Sequence, residues 1–300
     1  MKKTDCVVIG AGIAGMTAAI YLKRSNVDFI IVEKGAPGGV MNRTSKIENY
    51  PGVLDSDGVN LSLNMYQQLQ NLEVNYLYGT VKKIELKDEK KIVTIDDQKI
   101  EAKTVIIAPG RIPRKLNLEG EEGLVGRGIS WCAICDGPFY KDKDVAVVGS
   151  GNAAYEEALY LSSIAKKVYL FCRKNSDVEE ALKEKVYSLK NVMIKNNQIK
   201  QLTIKEKFLK AVILENDEKL DLEGIFVFTG YDPLLTCIEE LDVERDNDYL
   251  VVNKQMETSI KGIFACGDVI KKDVYQLTTA VGEASIAATF VKRYLDMKKA

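Results

Sequence analysis

The chain has 300 residues, 46% hydrophobic and 28% charged, enough for a sizeable core and about two domains. Its 42 Lys and Arg residues meet 43 Asp and Glu, which argues against a nucleic-acid partner held by bulk electrostatics. No apolar run approaches the roughly 20 residues of a membrane span, and the absence of histidine removes His-based general-base catalysis and every His-containing metal site.

The N-terminus, MKKTDCVVIG, reads as a first strand. Its apolar stretch is short and soon broken by glycines, unlike the about 7–15 apolar residues of a secretory signal. A cytoplasmic protein is expected. Residues 6–34, CVVIGAGIAGMTAAIYLKRSNVDFIIVEK, give an apolar run, a glycine turn, a helix-period stretch and a second apolar run, which is a β-α-β unit. The turn is Gly10-x-Gly12-x-x-Gly15, a dinucleotide fingerprint. Its first glycine permits the tight turn, its second lets the backbone approach a pyrophosphate, and its third lets helix pack on strand. The pyrophosphate sits against the N–H groups of the helix N-terminus. Glu33 closes the second strand, where an acid accepts hydrogen bonds from a ribose diol, as in FAD or NAD.

Residues 81–107 alternate apolar and charged side chains, the pattern of an antiparallel β-meander with a solvated face. An apolar strand then ends at Gly110. The stretch WCAICDGPFY at 131–140 sets Cys132 and Cys135 two residues apart and follows them with Asp136. Half a zinc site, a redox dithiol and two small core residues are the readings it allows. Cys6, Cys172, Cys237 and Cys266 are scattered singles, so no second CxxC completes a Cys₄ site, and no metal is expected. Thiol–disulfide exchange needs a thiolate attacker and a leaving sulfur, and a CxxC turn commonly lowers a cysteine pKa. Asp136 is the acid–base group next to it in sequence.

Residues 145–173 align without a gap on residues 6–34 and repeat the unit as Gly149-x-Gly151-x-x-Ala154. Cys172 takes the place of Glu33, followed by Arg173 and Lys174, a basic pair that would welcome a ribose 2′-phosphate. Alternation returns over 192–228, predicting a second meander. A last strand ends in Gly267-Asp268, whose carboxylate can reach a nucleotide sugar hydroxyl, and residues 278–295 have helix character. The expected fold is α/β: two Rossmann-like, three-layer dinucleotide-binding domains, the second inserted into the first, each with an antiparallel meander. The expected FAD-binding domain is 1–114 with 246–300, and the expected NAD(P)-binding-like domain, carrying the CxxC, is 115–245.

GAGIAG at 10–15, ENYPG at 48–52, CAICDG at 132–137, GSGNAA at 149–154 and FACGDV at 264–269 stand in an order that resembles the low-molecular-weight thioredoxin reductases. The resemblance covers nearly the whole chain. It implies FAD on Gly10, Gly12, Gly15, Glu33, Gly38, Gly39, Asn49, Gly110, Gly267, Asp268 and Gln276. It implies NADPH on Gly149, Gly151, Ala154, Arg173 and Lys174. Electrons would pass from NADPH to FAD, to the Cys132–Cys135 pair, and on to thioredoxin or a thioredoxin-like protein. Cys135 would be the flavin-proximal cysteine, Asp136 the proton donor and acceptor, and the enzyme a homodimer with no membrane or nucleic-acid partner.

The departures from that family bear on the electron donor. Its His-Arg-Arg-x-x-x-Arg signature is Cys172-Arg173-Lys174-x-x-x-Val178 here, its Arg-Gln before the final helix is Tyr275-Gln276, and its Gly-Gly-Gln-Leu is Gly38-Gly39-Val40-Met41. Some relatives that lack the signature take electrons from reduced ferredoxin, which is the alternative donor. The retained second fingerprint favours NADPH. A flavin or ferredoxin–NADP reductase has no use for the dithiol, and a redox sensor has no need of two cofactor units.

Overall fold

The computed structural model describes residues 1–44, 47–54, 56–174 and 178–298. They form two compact units, Met1–Ile112 with Asp232–Ala300, and Pro113–Tyr231.

The first unit is built on a seven-stranded sheet in the order Tyr76–Tyr78, Phe29–Glu33, Lys2–Ile9, Gln98–Ile107, Lys90–Ile95, Val81–Lys87, with Ile263–Ala265 also pairing to Gln98–Ile107. The first strand runs parallel to its neighbours, Cys6 opposite Phe29 on one side and opposite Thr104 on the other. The ten residues of Gln98–Ile107 serve two partners along one edge. Residues 98–102 pair antiparallel with the meander strand 91–95, and residues 105–107 pair parallel with 263–265.

The apolar runs follow from burial on both faces of this sheet. Successive side chains of a strand point to opposite faces, so a strand covered on both sides must be apolar at every position. Cys6, Val8, Ile31 and Ile106 pack with the helices Ile13–Arg24, Gly58–Asn71 and Leu277–Met297. The intervening Val7, Ile9, Ile30, Val32, Val105 and Ile107 pack with Ile84 and Val93 of the meander. Leu235, Cys237, Ile238 and Val243 join that second cluster. The sequence reading assigned residues 232–245 to the inserted domain; here they belong to the core of the first unit.

The second unit repeats the scheme with five parallel strands in the order Val192–Lys195, Lys167–Phe171, Asp144–Val148, Gly224–Val227, Ile129–Ser130. Val145, Val147, Val168, Leu170 and Phe226 face the helix Asn152–Ser162, while Ala146, Tyr169, Phe171, Ile225 and Val227 face the other side. The second meander is shorter than the alternation of 192–228 suggested. It comprises Ile199–Lys205, Phe208–Leu214 and Lys219–Asp221, and Val192–Lys195 and Gly224–Val227 belong instead to the parallel sheet. Among the described residues no helix is long and apolar enough to cross a membrane.

Each unit has its own core, so damage to one core should stay local. Phe226 is fully buried and meets Tyr140 edge-on at 5.3 Å. Phe226→Ala should destabilise the second unit by about 3–5 kcal/mol. Hydrogen exchange followed by mass spectrometry should then show lost protection within residues 113–231 and unchanged protection in the parallel strands of the first unit.

Candidate functional site: two nucleotide cradles and a dithiol turn

At the end of the first strand Gly10 takes φ +95°, a region open to glycine at little cost, and its N–H donates to Val32 O at 2.8 Å. A side chain there would strike Ala108 O, and one at Gly15 would strike Gly10 O, so strand, turn and helix touch by backbone. Gly12 instead faces open space. The helix that follows, Ile13–Arg24, has no side-chain cap and no acid in its first turn. Its first N–H groups and the positive end of its dipole are therefore left to an outside anion. This backbone fits a dinucleotide pyrophosphate.

Glu33, Gly38 and Gly267 of the first unit meet at the same turn. Gly38 N donates to Ala11 O at 2.7 Å, which brings the Gly38–Gly39 loop against the fingerprint. Glu33 accepts from Ala11 N at 2.7 Å and from Gly35 N at 2.8 Å, fixing its carboxylate at the end of the second strand. Gly267 takes φ +78°, and a β-carbon there would lie 2.8 Å from Ala14 Cβ, so the Gly267–Asp268 turn abuts the first turn of the fingerprint helix. Gly110 follows the strand that abuts Gly10 and faces open space. Asn49 Nδ2 donates to Gln276 Oε1 at 3.2 Å, joining two segments 227 positions apart. Gln276 is also the N-cap of the last helix, and its N–H donates to Thr279 Oγ1 at 3.2 Å.

The second cradle is built alike. Gly151 faces open space, the helix Asn152–Ser162 lacks a side-chain cap and a first-turn acid, and Ala154 is buried against the sheet. Ser150 Oγ accepts from Arg173 N at 3.0 Å, which ties the end of the second strand to the fingerprint turn. Arg173 and Lys174 are exposed. Cys172, in place of the ribose-binding acid, is buried and receives a hydrogen bond from Tyr155 Oη at 3.4 Å. Val178, where the family signature ends in arginine, is buried in the core.

Cys132 and Cys135 form a disulfide across a Cα–Cα distance of 5.3 Å. Cys132 caps the short helix Ala133–Asp136: its Sγ accepts from Cys135 N at 3.2 Å and its carbonyl accepts from Asp136 N at 3.0 Å. Ala133 anchors the turn in the core of the second unit, while Ile134 between the cysteines is 52% exposed. Asp136 is largely buried. Its Oδ2 accepts from Ser130 Oγ at 2.5 Å, and its Oδ1 has no partner. Burial pushes this carboxyl above its ordinary range, and the Ser130 hydroxyl pulls it back. Ser130 also accepts from Cys132 N at 3.1 Å, so one hydroxyl braces both the dithiol turn and the acid. Sequence reasoning missed Ser130, because a serine two residues before a cysteine has no motif; its short local bonds are the only signal.

The four remaining cysteines are free and buried. Burial pushes the thiol of Cys6 up to about 12 and that of Cys237 up to about 11. A thiol so seldom ionised is a poor nucleophile. Cys132 and Cys135 are thus the cysteines joined in a disulfide, while these four stay as buried thiols.

Comparison with known proteins agrees with this arrangement. A model of the pyridine nucleotide-disulphide oxidoreductases matches residues 4–284. The chain is 41% identical over 298 residues to a thioredoxin reductase of Ureaplasma parvum, covering 97% of this chain and 96% of that one. It is 36% identical over 302 residues to that of Bacillus subtilis, covering 98% and 96%. The crystal structure of thioredoxin reductase from Streptococcus pyogenes superposes with a TM-score of 0.94 at 40% identity, covering 98% and 99%. On the fold, the two cradles, the dithiol turn and these matches, the chain belongs to the pyridine nucleotide-disulphide oxidoreductases, within the low-molecular-weight thioredoxin reductases.

Proposed function

We propose that this chain is an FAD-dependent thioredoxin-disulfide reductase that draws its electrons from NADPH. The observation that carries the reading is the Cys132–Cys135 disulfide with the largely buried, half-satisfied Asp136 beside it, in a chain with two nucleotide cradles. The names of its relatives support thioredoxin, or a thioredoxin-like protein, as the substrate. In this reading the discontinuous unit holds FAD and the inserted unit holds NADPH. The family resemblance supports a homodimer in the cytoplasm.

FAD, when bound, supplies the two-electron link between the nicotinamide and the disulfide. The chain's own groups handle sulfur and protons. In the disulfide the Cys135 N–H already points at Cys132 Sγ, and the same hydrogen bond kept on reduction would favour the thiolate. Cys132 thiolate attacks one sulfur of the partner disulfide, and the displaced partner sulfur leaves as a thiolate that takes up a proton. Cys135 then attacks Cys132 Sγ, displaces the second partner sulfur and restores the Cys132–Cys135 disulfide. Two electrons have passed to the partner. Asp136, with Oδ1 unpartnered and its carboxyl raised by burial, is the group able to hold and return the proton of the pair.

Cys132→Ser and Cys135→Ser should each lower thioredoxin turnover by at least about a thousandfold, since neither a mixed disulfide nor its resolution survives alone. Turnover at the parent rate in either variant would overturn the reading. Anaerobic titration tests the donor. Micromolar NADPH should bleach the flavin band, and NADH should need more; bleaching by reduced ferredoxin with none by NADPH would move the chain to the other donor. The acid has its own test. A carboxyl raised by burial favours the protonated fold, so its stabilising contribution is present at low pH and lost as pH rises through the folded pKa. Ser130→Ala removes the partner that lowers it, so the protonated-carboxyl infrared band, absent in Asp136→Asn, should persist to higher pH than in the parent.

A further inference from the structure

We propose that Lys272 and Glu283 are positioning residues for the flavin nucleotide, a largely buried ion pair that sets the Gly267 amide and the Asp268 carboxylate. The proposal rests on the FAD assignment above. Glu283, on the last helix Leu277–Met297, accepts from Gly267 N at 2.9 Å. The same carboxylate holds Lys272 Nζ at 3.0 Å through Oε1 and 2.9 Å through Oε2. Lys272 Nζ also lies 3.5 Å from Asp268 Oδ1, and Arg111 Nε lies 3.6 Å from Asp268 Oδ2. Each oxygen of Asp268 thus faces one cation. Arg111 is itself stacked on the Tyr275 ring at 3.6 Å.

Exposure separates the cluster into support and site. The side chains of Lys272 and Glu283 are 11% and 14% exposed, whereas Asp268 is 35% exposed and open to a ligand. Beyond Asp268 the backbone is held by other means: Leu250 N donates to Val269 O at 3.1 Å, and Lys271 N to Leu250 O at 2.9 Å. At Gly267, whose φ of +78° sets the turn against Ala14, the hydrogen bond from its amide goes to Glu283. A buried ion pair is weak support for stability, because a well-packed apolar pair of the same volume often serves as well. What charge and hydrogen bonding add here is direction, applied to a carboxylate beside a phosphate-binding helix end. No motif in the sequence announces it.

The test is FAD release from purified holoenzyme, followed by the return of free-flavin fluorescence, with thermal melting of the flavin-free protein alongside. The double variant Lys272→Met/Glu283→Leu should release FAD about tenfold faster or more, with its flavin-free Tm within about 3 °C of the parent. Lys272→Arg keeps the cation and should stay within about threefold of the parent rate. Release from the double variant within about twofold of the parent overturns the proposal, as does faster release matched by a flavin-free Tm lowered by about 10 °C, which marks a purely structural pair. A parent protein that purifies without FAD and does not take it up fails the cofactor assignment itself, a separate result.

Discussion

A parallel strand buried on both faces has to end, and at its carboxyl end the backbone must reverse within a few residues into a helix. That constraint governs both units. Side chains would block the reversal, since a β-carbon at Gly10 or Gly15 would strike carbonyl oxygens of the neighbouring backbone. The same crowding brings the unpaired N–H groups of the helix to the strand end with no side chain to satisfy them. A folding requirement and an anion site are therefore one structure, and the chain makes it twice.

The dithiol turn solves a different problem. In the function proposed above, a thiolate needs donors near its sulfur, a proton-holding carboxyl needs burial, and the two must be close without the acid being drained by a strong cation. Here the backbone N–H of Cys135 serves the sulfur and one hydroxyl, Ser130, serves the acid. A hydroxyl steadies Asp136 without supplying a full positive charge that would drag its pKa down.

Much of this was legible in the residues because it is local. The fingerprints, the strand-closing Glu33 and the CxxC-Asp sequence all lie within single turns or single β-α-β units. The all-apolar strands reported two-sided burial directly. What escaped was set by partners far along the chain. Alternation at 192–195 looked like meander, yet Val168–Phe171 recruits that segment as a parallel neighbour. Residues 232–245 carry no period of their own and are placed by the core that receives Leu235 and Val243. Lys272 and Glu283 are polar residues at no telling spacing, and only a folded helix brings them to Gly267. Departures at Cys172 and Val178 were visible, and their meaning came from burial: each is a core position that lends nothing to a nucleotide phosphate.

The strand Gln98–Ile107 also dictates an order of events at the ribosome. Its second half pairs with Ile263–Ala265, and the last helix covers the same sheet. When the second unit, Pro113–Tyr231, has been fully synthesised, the first still lacks everything from Asp232 onward, including the sheet strand Ile263–Ala265, the helix Leu277–Met297 and the turn bearing Asp268. The unit begun first is thus the last completed, and a chain stalled between the two holds an open sheet edge at Val105–Ile107. Such an edge is a site for chaperones and for aggregation alike, and its closure coincides with completion of the Gly267–Asp268 turn.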